Sequence, residues 1–131
     1  MKEIIVAVLK YGSRILLLKR NRNKRFDPDR WEFVSGFVKE NDLEVVAIKQ
    51  VLCETGLIAK IIKKGEIFEI NDEYGKWLIH PFLLEVDSDK VILREDHLEY
   101  KWINPIELIN YETVKDLDKN LVSLGLNISE R

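Results

Sequence analysis

The stretch that decides the fold is residues 31–57, WEFVSGFVKENDLEVVAIKQVLCETGL. It begins as an apolar run that ends at Gly36, a pattern typical of a strand followed by a turn. Its second half predicts one amphipathic helix, because apolar residues recur there at helical spacing and would face a core. These residues are Leu43, Val46, Ala47, Val51 and Leu52.

Both ends of this helix carry sequence signals. Asn41 and Glu44 have the spacing of a capping box, so we expect the helix to begin near Asp42. Gly56 stands where a left-handed C-terminal cap belongs, so the helix should end one or two residues before it. The apolar spacing and the two end signals therefore predict the same helix.

One face of the helix carries the residues with chemical interest. Gln50, Cys53 and Glu54 stand at i, i+3 and i+4, so their side chains share one neighbourhood. Gly36 together with residues 49–57, KQVLCETGL, resembles the signature of the Nudix (MutT-like) hydrolases. That signature is a glycine, five residues, Glu, seven residues, then Arg-Glu-aliphatic-x-Glu-Glu-x-Gly-aliphatic.

The signature is degenerate in this chain. Gln50 replaces the first glutamate of the family's helix, Cys53 replaces the second, and only Glu54 matches. The upstream segment is one residue short, which leaves Asn41 or Asp42 opposite the first consensus glutamate. In the family these glutamates hold Mg²⁺ against a diphosphate and help to activate a water. Since Mg²⁺ prefers hard oxygen ligands and Cys53 offers a soft sulfur, the resemblance implies weak Mg²⁺ binding here.

A charged segment at 94–99, REDHLE, is a second source of candidate residues. Nudix proteins often place an acidic loop before a strand, and in several members that loop supplies a metal ligand or general base. The resemblance makes Glu95 and Asp96 candidate metal ligands beside Glu54, and it makes Glu99 a candidate catalytic residue together with Glu54 and Gln50. A solvated charged loop accounts for the segment equally well.

Three residues are candidates for substrate binding. Arg20 ends a predicted strand in a basic stretch and could contact a phosphate. Trp31 could stack on a base, although a tryptophan before a core strand more often serves packing. Gly36 would let the backbone approach a phosphate, or it would simply allow the turn.

The rest of the chain predicts a sheet and a terminal helix. Two apolar runs around Tyr11-Gly12-Ser13 predict an N-terminal hairpin, and three further strands follow residue 57. Pro81 lies inside the longest of these, which predicts an edge position or a bulge. Residues at 98–103 predict another strand, followed by a short helix from Pro105. Helical spacing predicts a C-terminal helix with the apolar residues Val114, Leu117, Leu121 and Leu124.

These elements and the resemblance lead to one fold class. We expect an α/β (α+β) protein with the Nudix fold, a mixed β-sheet sandwiched between helices, and a single Nudix-like domain over residues 1–131. The segments HPFLLEV, EYKWI and YETV are also loosely similar to the Nudix domain attached to some archaeal relatives of a translation-initiation-factor subunit.

Composition excludes several classes of partner. The 21 basic and 23 acidic residues nearly balance, which argues against general attraction to nucleic acid or to membrane surfaces. No apolar run is long enough to span a bilayer, and one cysteine cannot form an internal disulfide. We therefore expect a cytoplasmic protein, with a homodimer as an open possibility.

Three functional hypotheses follow. The first is a protein that binds a nucleoside diphosphate-linked small molecule and whose Mg²⁺-dependent hydrolysis is impaired or lost. The second is an active Nudix pyrophosphohydrolase in which Glu54 works with carboxylates of residues 95–99. The third is a non-catalytic interaction module on a Nudix scaffold. The fold alone cannot decide among them.

Overall fold

A computed structural model describes residues 1–126 of the chain. These residues form eight strands, two α-helices and one 3₁₀ helix. In chain order the elements are β1 (Lys2–Tyr11), β2 (Arg14–Arg20), β3 (Trp31–Glu32), β4 (Val34–Phe37), α1 (Leu43–Thr55), β5 (Ala59–Lys64), β6 (Phe68–Asp72), β7 (Gly75–Val86), β8 (His97–Ile103), the 3₁₀ helix (Pro105–Asn110) and α2 (Asp118–Ser123).

The N-terminal hairpin is confirmed, and its two strands diverge. β1 and β2 pair only near the turn, where Tyr11 faces Arg14. Beyond that point β2 pairs with β3, whereas β1 pairs with β4. Residues 31–37 therefore bridge the gap between the two diverging strands. β8 pairs with the other edge of β2 and brings His97 opposite Arg20.

β7 lies inside the sheet, so the edge position, one of the two alternatives expected for Pro81, is wrong. β7 runs parallel to β1 on one side and antiparallel to β5 and β6 on the other. Pro81 falls opposite the break between these two strands, where its carbonyl accepts from the Gly65 N–H at 2.9 Å. In extended backbone the N–H and C=O of one residue point the same way. The position where Pro81 lacks an N–H therefore faces the gap between β5 and β6, where no strand residue needs that hydrogen bond.

The helix α1 has the predicted extent but a different cap. It spans Leu43–Thr55 and ends at Gly56, which has φ +76°. Asp42 is the N-cap residue, and its side chain accepts from the Val45 N–H at 3.2 Å. The capping box that we expected from Asn41 was therefore wrong by one residue. Leu52, expected in the core, is instead 51% exposed.

Helices cover both faces of the sheet, as the fold prediction requires. α1 covers one face, and its core includes Val46, Ala47 and Val51. The 3₁₀ helix and α2 cover the opposite face. Each face of the sheet therefore has its own apolar core, and the expected mixed sheet between helices is confirmed.

The C-terminal helix is shorter than its apolar spacing predicted. α2 spans only Asp118–Ser123. Asp116 has φ +59°, a left-handed conformation that a helix cannot include, so α2 begins only after it. Upstream, the Val114 N–H donates to the Trp31 carbonyl at 3.0 Å instead of to a helical partner. Leu117, Leu121 and Leu124 are nevertheless buried. No helix within residues 1–126 is both long and apolar enough to cross a membrane.

The cap of α1 gives a direct test of this local structure. We expect Asp42→Ala to lower the free energy of unfolding by about 1 kcal/mol, because the Val45 N–H loses its acceptor. Asn41→Ala is the matched control and should change it by only a few tenths of a kcal/mol. Urea unfolding of both variants measures this, and a larger loss for Asn41→Ala would contradict the observed cap.

Candidate functional site

A cavity of about 620 Å³ opens where β2 ends and β8 begins, beside the face of α1 that carries Gln50 and Glu54. One end of the cavity is charged and holds Glu54, Glu32 and Arg20. The other end is aromatic and is lined by Phe26, Phe37, Tyr74 and Trp77. The volume is in the range typical of small-molecule sites.

A buried ion-pair network forms the floor of the charged end. The Arg20 guanidinium donates from Nη1 to both Glu32 carboxylate oxygens, at 2.9 and 3.0 Å. His97 Nε2 lies 2.8 Å from Glu32 Oε2. Arg20 also donates from Nε to the Phe26 carbonyl at 2.9 Å, which fixes the loop after β2. Since a buried carboxylate is stable only with such partners, these contacts hold β2, β3 and β8 together.

Arg20 was expected to contact a phosphate. It does line the cavity, but its guanidinium already has three internal bonds and its side chain is only 14% exposed. These contacts fix the Arg20 guanidinium in place. Arg20 therefore orients the neighbouring residues of the site and is not free to move toward a ligand.

Gln50 and Glu54 come together as the helical spacing predicts. Gln50 Nε2 donates to Glu54 Oε2 at 2.5 Å. Burial raises the pKa of Glu54 to about 7; the Gln50 hydrogen bond lowers it, and the nearby negative charge of Glu32 raises it. Near neutral pH this carboxyl group is therefore protonated about half of the time.

Gly36 provides room for Gln50. A Cβ atom at Gly36 would lie 2.7 Å from the Gln50 Cδ atom, which is too close for any side chain. Gly36 lines the cavity, and the space above its backbone is taken by the Gln50 side chain. Gly36 therefore permits close packing of β4 against α1.

The candidate carboxylates of the 95–99 segment do not lie together. Asp96 lines the cavity and forms an ion pair with Lys24 at 3.2 Å. Glu95 and Glu99 are exposed and do not line the cavity; Glu99 lies 3.7 Å from Lys19.

The donor set does not assemble a Mg²⁺ site. Glu54 is hydrogen-bonded to Gln50, Glu32 is bound by Arg20 and His97, and Asp96 is paired with Lys24. Within the described part of the chain no three His, Cys, Asp or Glu side chains are grouped so as to hold a metal. An ion there would have to compete with these internal partners and take ligands from a substrate.

Two other candidate residues lie away from the cavity. Trp31 is buried and packs edge-on against Tyr111, with ring centroids 5.3 Å apart. The Lys19 and Lys101 ammonium groups lie over its ring. These contacts agree with the packing interpretation. Cys53 is exposed on α1 and does not line the cavity.

Sequence reasoning missed several residues of the site. Glu32 lies in the WEF segment, directly beside Trp31, but nothing local shows that Arg20 and His97 meet there. The aromatic end comes from the loop after β2 (Phe26), from β4 (Phe37), from the turn after β6 (Tyr74) and from β7 (Trp77). Such separated residues give no local pattern that could have revealed the cavity.

Comparison with known proteins agrees with this architecture. The family model described as NUDIX domain matches residues 1–124, and the chain belongs to that family. A relative named 8-oxo-dGTP diphosphatase, from Buchnera aphidicola subsp. Schizaphis graminum, is 32% identical over 101 residues, which cover 76% of this chain and 75% of the relative.

Two solved structures illustrate the shared fold. A NUDIX hydrolase from Nitrosomonas europaea matches with a TM-score of 0.78 at 15% identity, over 93% of this chain and 86% of its own. The NUDIX domain of Shewanella oneidensis NrtR, solved with ADP ribose, matches with a TM-score of 0.71 at 15% identity, over 92% and 84% of the two chains. At these identities the likeness concerns the fold.

The raised pKa of Glu54 predicts a specific dependence of stability on pH. The folded chain holds this proton up to about pH 7, whereas the unfolded chain releases it near 4.5. The contribution of Glu54 to stability is therefore complete below pH 4.5 and is lost as the pH rises to 7 and beyond. Its total size is on the order of 2–3 kcal/mol.

Glu54→Gln should remove this loss. We expect the variant to be more stable than the wild type at pH 8 and nearly equal to it at pH 5. Glu44→Gln, a change at an exposed position on the same helix, should leave the profile unchanged. Urea unfolding from pH 5 to 8 measures this, and parallel wild-type and Glu54→Gln profiles would contradict the burial of a protonatable Glu54.

Proposed function

We propose that this protein binds a nucleoside diphosphate-linked small molecule and that its Mg²⁺-dependent hydrolysis of the diphosphate is weak or lost. The observation that carries the proposal is the Gln50–Glu54 hydrogen bond inside a cavity of ligand size. It ties the one remaining signature carboxylate to a neutral amide. The cavity suits a ligand, whereas the residues that line it are poorly arranged for the reaction.

Basic side chains at the cavity, which also carries five acidic ones, offer contacts for a phosphate group. Four basic side chains line it besides Arg20, namely Lys24, Arg25, Lys39 and Lys115. Lys39 forms no ion pair within residues 1–126, so its ammonium group is available to a phosphate oxygen. Hydrogen bonds between ionised partners are about twice as strong as neutral ones. The aromatic end would take the nucleoside, because rings of this kind stack on bases.

The same geometry explains why hydrolysis would be slow. A half-protonated Glu54 is a poor ligand for Mg²⁺, and Gln50 offers only a neutral amide in place of a carboxylate. Cys53 is exposed and does not line the cavity. Loss of a general base alone typically lowers a rate by about 10²–10⁴. Weakened metal binding would add to this loss.

The family relationship supports the ligand class. The NrtR neighbour was solved with ADP ribose, a diphosphate-linked nucleoside. The 8-oxo-dGTP diphosphatase relative favours the second candidate, an active pyrophosphohydrolase. One observation also favours it, since Asp96 lines the same cavity as Glu54 and would be the second carboxylate. Glu95 and Glu99 lie outside the cavity, so this candidate depends on Asp96 leaving Lys24.

Restoring carboxylates tests the proposal. The wild type should bind ADP-ribose or nucleoside diphosphates in calorimetry but hydrolyse them feebly with Mg²⁺. Gln50→Glu with Cys53→Glu should raise turnover by at least tenfold, and only with Mg²⁺, because adjacent carboxylates repel each other until a cation neutralises them. Cys53→Glu alone is the control and should gain little, since that side chain lies outside the cavity.

Each outcome separates the hypotheses. Ordinary enzymatic turnover by the wild type, lost in Asp96→Asn, would favour the active hydrolase. No ligand binding by a folded wild type would favour the interaction module. Binding without turnover, and a gain in the double variant, is the result that the proposal predicts.

A further inference from the structure

The aromatic end of the cavity is built as a wall of four rings. The Phe37 and Trp77 rings stack with an interplanar angle of 30°, and Phe26 packs edge-on against Tyr74 at 4.6 Å between centroids. Phe37 remains 52% exposed, although it is a large apolar residue. An exposed ring inside a concave site offers its face to a planar ligand group.

Two aspartates lie at this wall, and they differ in their partners. The Asp72 Oδ1 atom accepts from the Tyr74 N–H at 2.9 Å and from Trp77 Nε1 at 3.0 Å, so Asp72 holds the wall in place. Asp27 also lines the cavity, but its carboxylate makes no hydrogen bond or ion pair with any side chain or backbone group of residues 1–126.

The backbone around Asp27 is fixed, although its carboxylate is not. The Arg20 side chain holds the Phe26 carbonyl, and the Arg20 carbonyl accepts from the Asp29 N–H at 3.2 Å. Burial raises the pKa of Asp27, and the nearby Arg20 charge opposes this by lowering it. An ionised carboxylate has acceptors only, so a ligand that binds Asp27 must offer it N–H or O–H groups.

We propose that Asp27 selects the base of the ligand, and that the aromatic end takes a planar ring with two adjacent N–H donors, as in guanine. This rests on the proposed function and specifies its substrate class. A guanine edge presents its ring N1–H and its 2-amino group side by side, which matches the two oxygens of a carboxylate. Adenine presents an acceptor beside its amino group, and that acceptor would face the negative carboxylate. Asp27 is thus a specificity-determining residue that touches the base.

A set of matched ligands tests the proposal without any variant. GDP and IDP differ only in the 2-amino group, and ADP carries the adenine edge. Calorimetry in EDTA should give GDP the tightest binding, with IDP weaker by about tenfold because one charge-assisted hydrogen bond is missing. ADP should be weaker than GDP by at least the same factor.

A pair of variants then assigns the preference to one residue. Asp27 and Asp29 both have positive φ, +48° and +61°, and asparagine tolerates that conformation. Asp27→Asn should bring GDP and IDP within about twofold of each other. Asp29→Asn makes the same chemical change at an exposed residue outside the cavity and should keep the preference.

The outcomes distinguish the two proposals. Equal binding of GDP, IDP and ADP by the wild type would overturn the role of Asp27 but leave nucleotide binding intact. A GDP preference that survives in folded Asp27→Asn would likewise overturn it. Failure of the wild type to bind any of the three would overturn the proposed function and this inference with it.

Discussion

The buried contact between Arg20, Glu32 and His97 is the interaction on which the site depends. Glu32 has only 10% of its side chain exposed, and its two oxygens face a guanidinium and an imidazole from different strands. Removing one partner from such a buried network costs about 3–5 kcal/mol, because the other charges stay buried without compensation. This network joins β2, β3 and β8 and fixes the loop that carries Phe26 and Asp27. It therefore positions both ends of the cavity at once.

Three carboxylates at the charged end of the cavity have internal partners. Glu32 serves the network, Asp96 is paired with Lys24, and Glu54 accepts from Gln50. A site that binds Mg²⁺ for diphosphate hydrolysis needs such oxygens to be free to take a cation. Lys39 and the aromatic wall, which suit ligand binding, remain open to the cavity. The Nudix fold thus supplies a preformed cavity, and the residues within it decide what chemistry follows.

Local patterns predicted those features that depend on neighbours in the chain. The extent of α1 and the meeting of Gln50 with Glu54 follow from helical spacing, and the hairpin follows from its turn. The N-cap was predicted at Asn41 but lies at Asp42. Both residue types are good caps, and only the backbone geometry decides which of them caps the helix. The edge position expected for Pro81 was wrong because a proline also fits inside a sheet where the neighbouring strands are interrupted. The bond between His97 and Glu32 joins residues 65 positions apart, and no local pattern encodes it.

The central claim is that the cavity holds a nucleoside diphosphate compound without cleaving it efficiently. Phosphorus NMR of GDP-mannose with an excess of protein and Mg²⁺ tests both binding and cleavage in one sample. We expect shifted or broadened diphosphate resonances, which show binding, and their persistence for hours without the appearance of monophosphate signals. Conversion to GMP and mannose 1-phosphate within minutes would show that the cavity supports efficient hydrolysis.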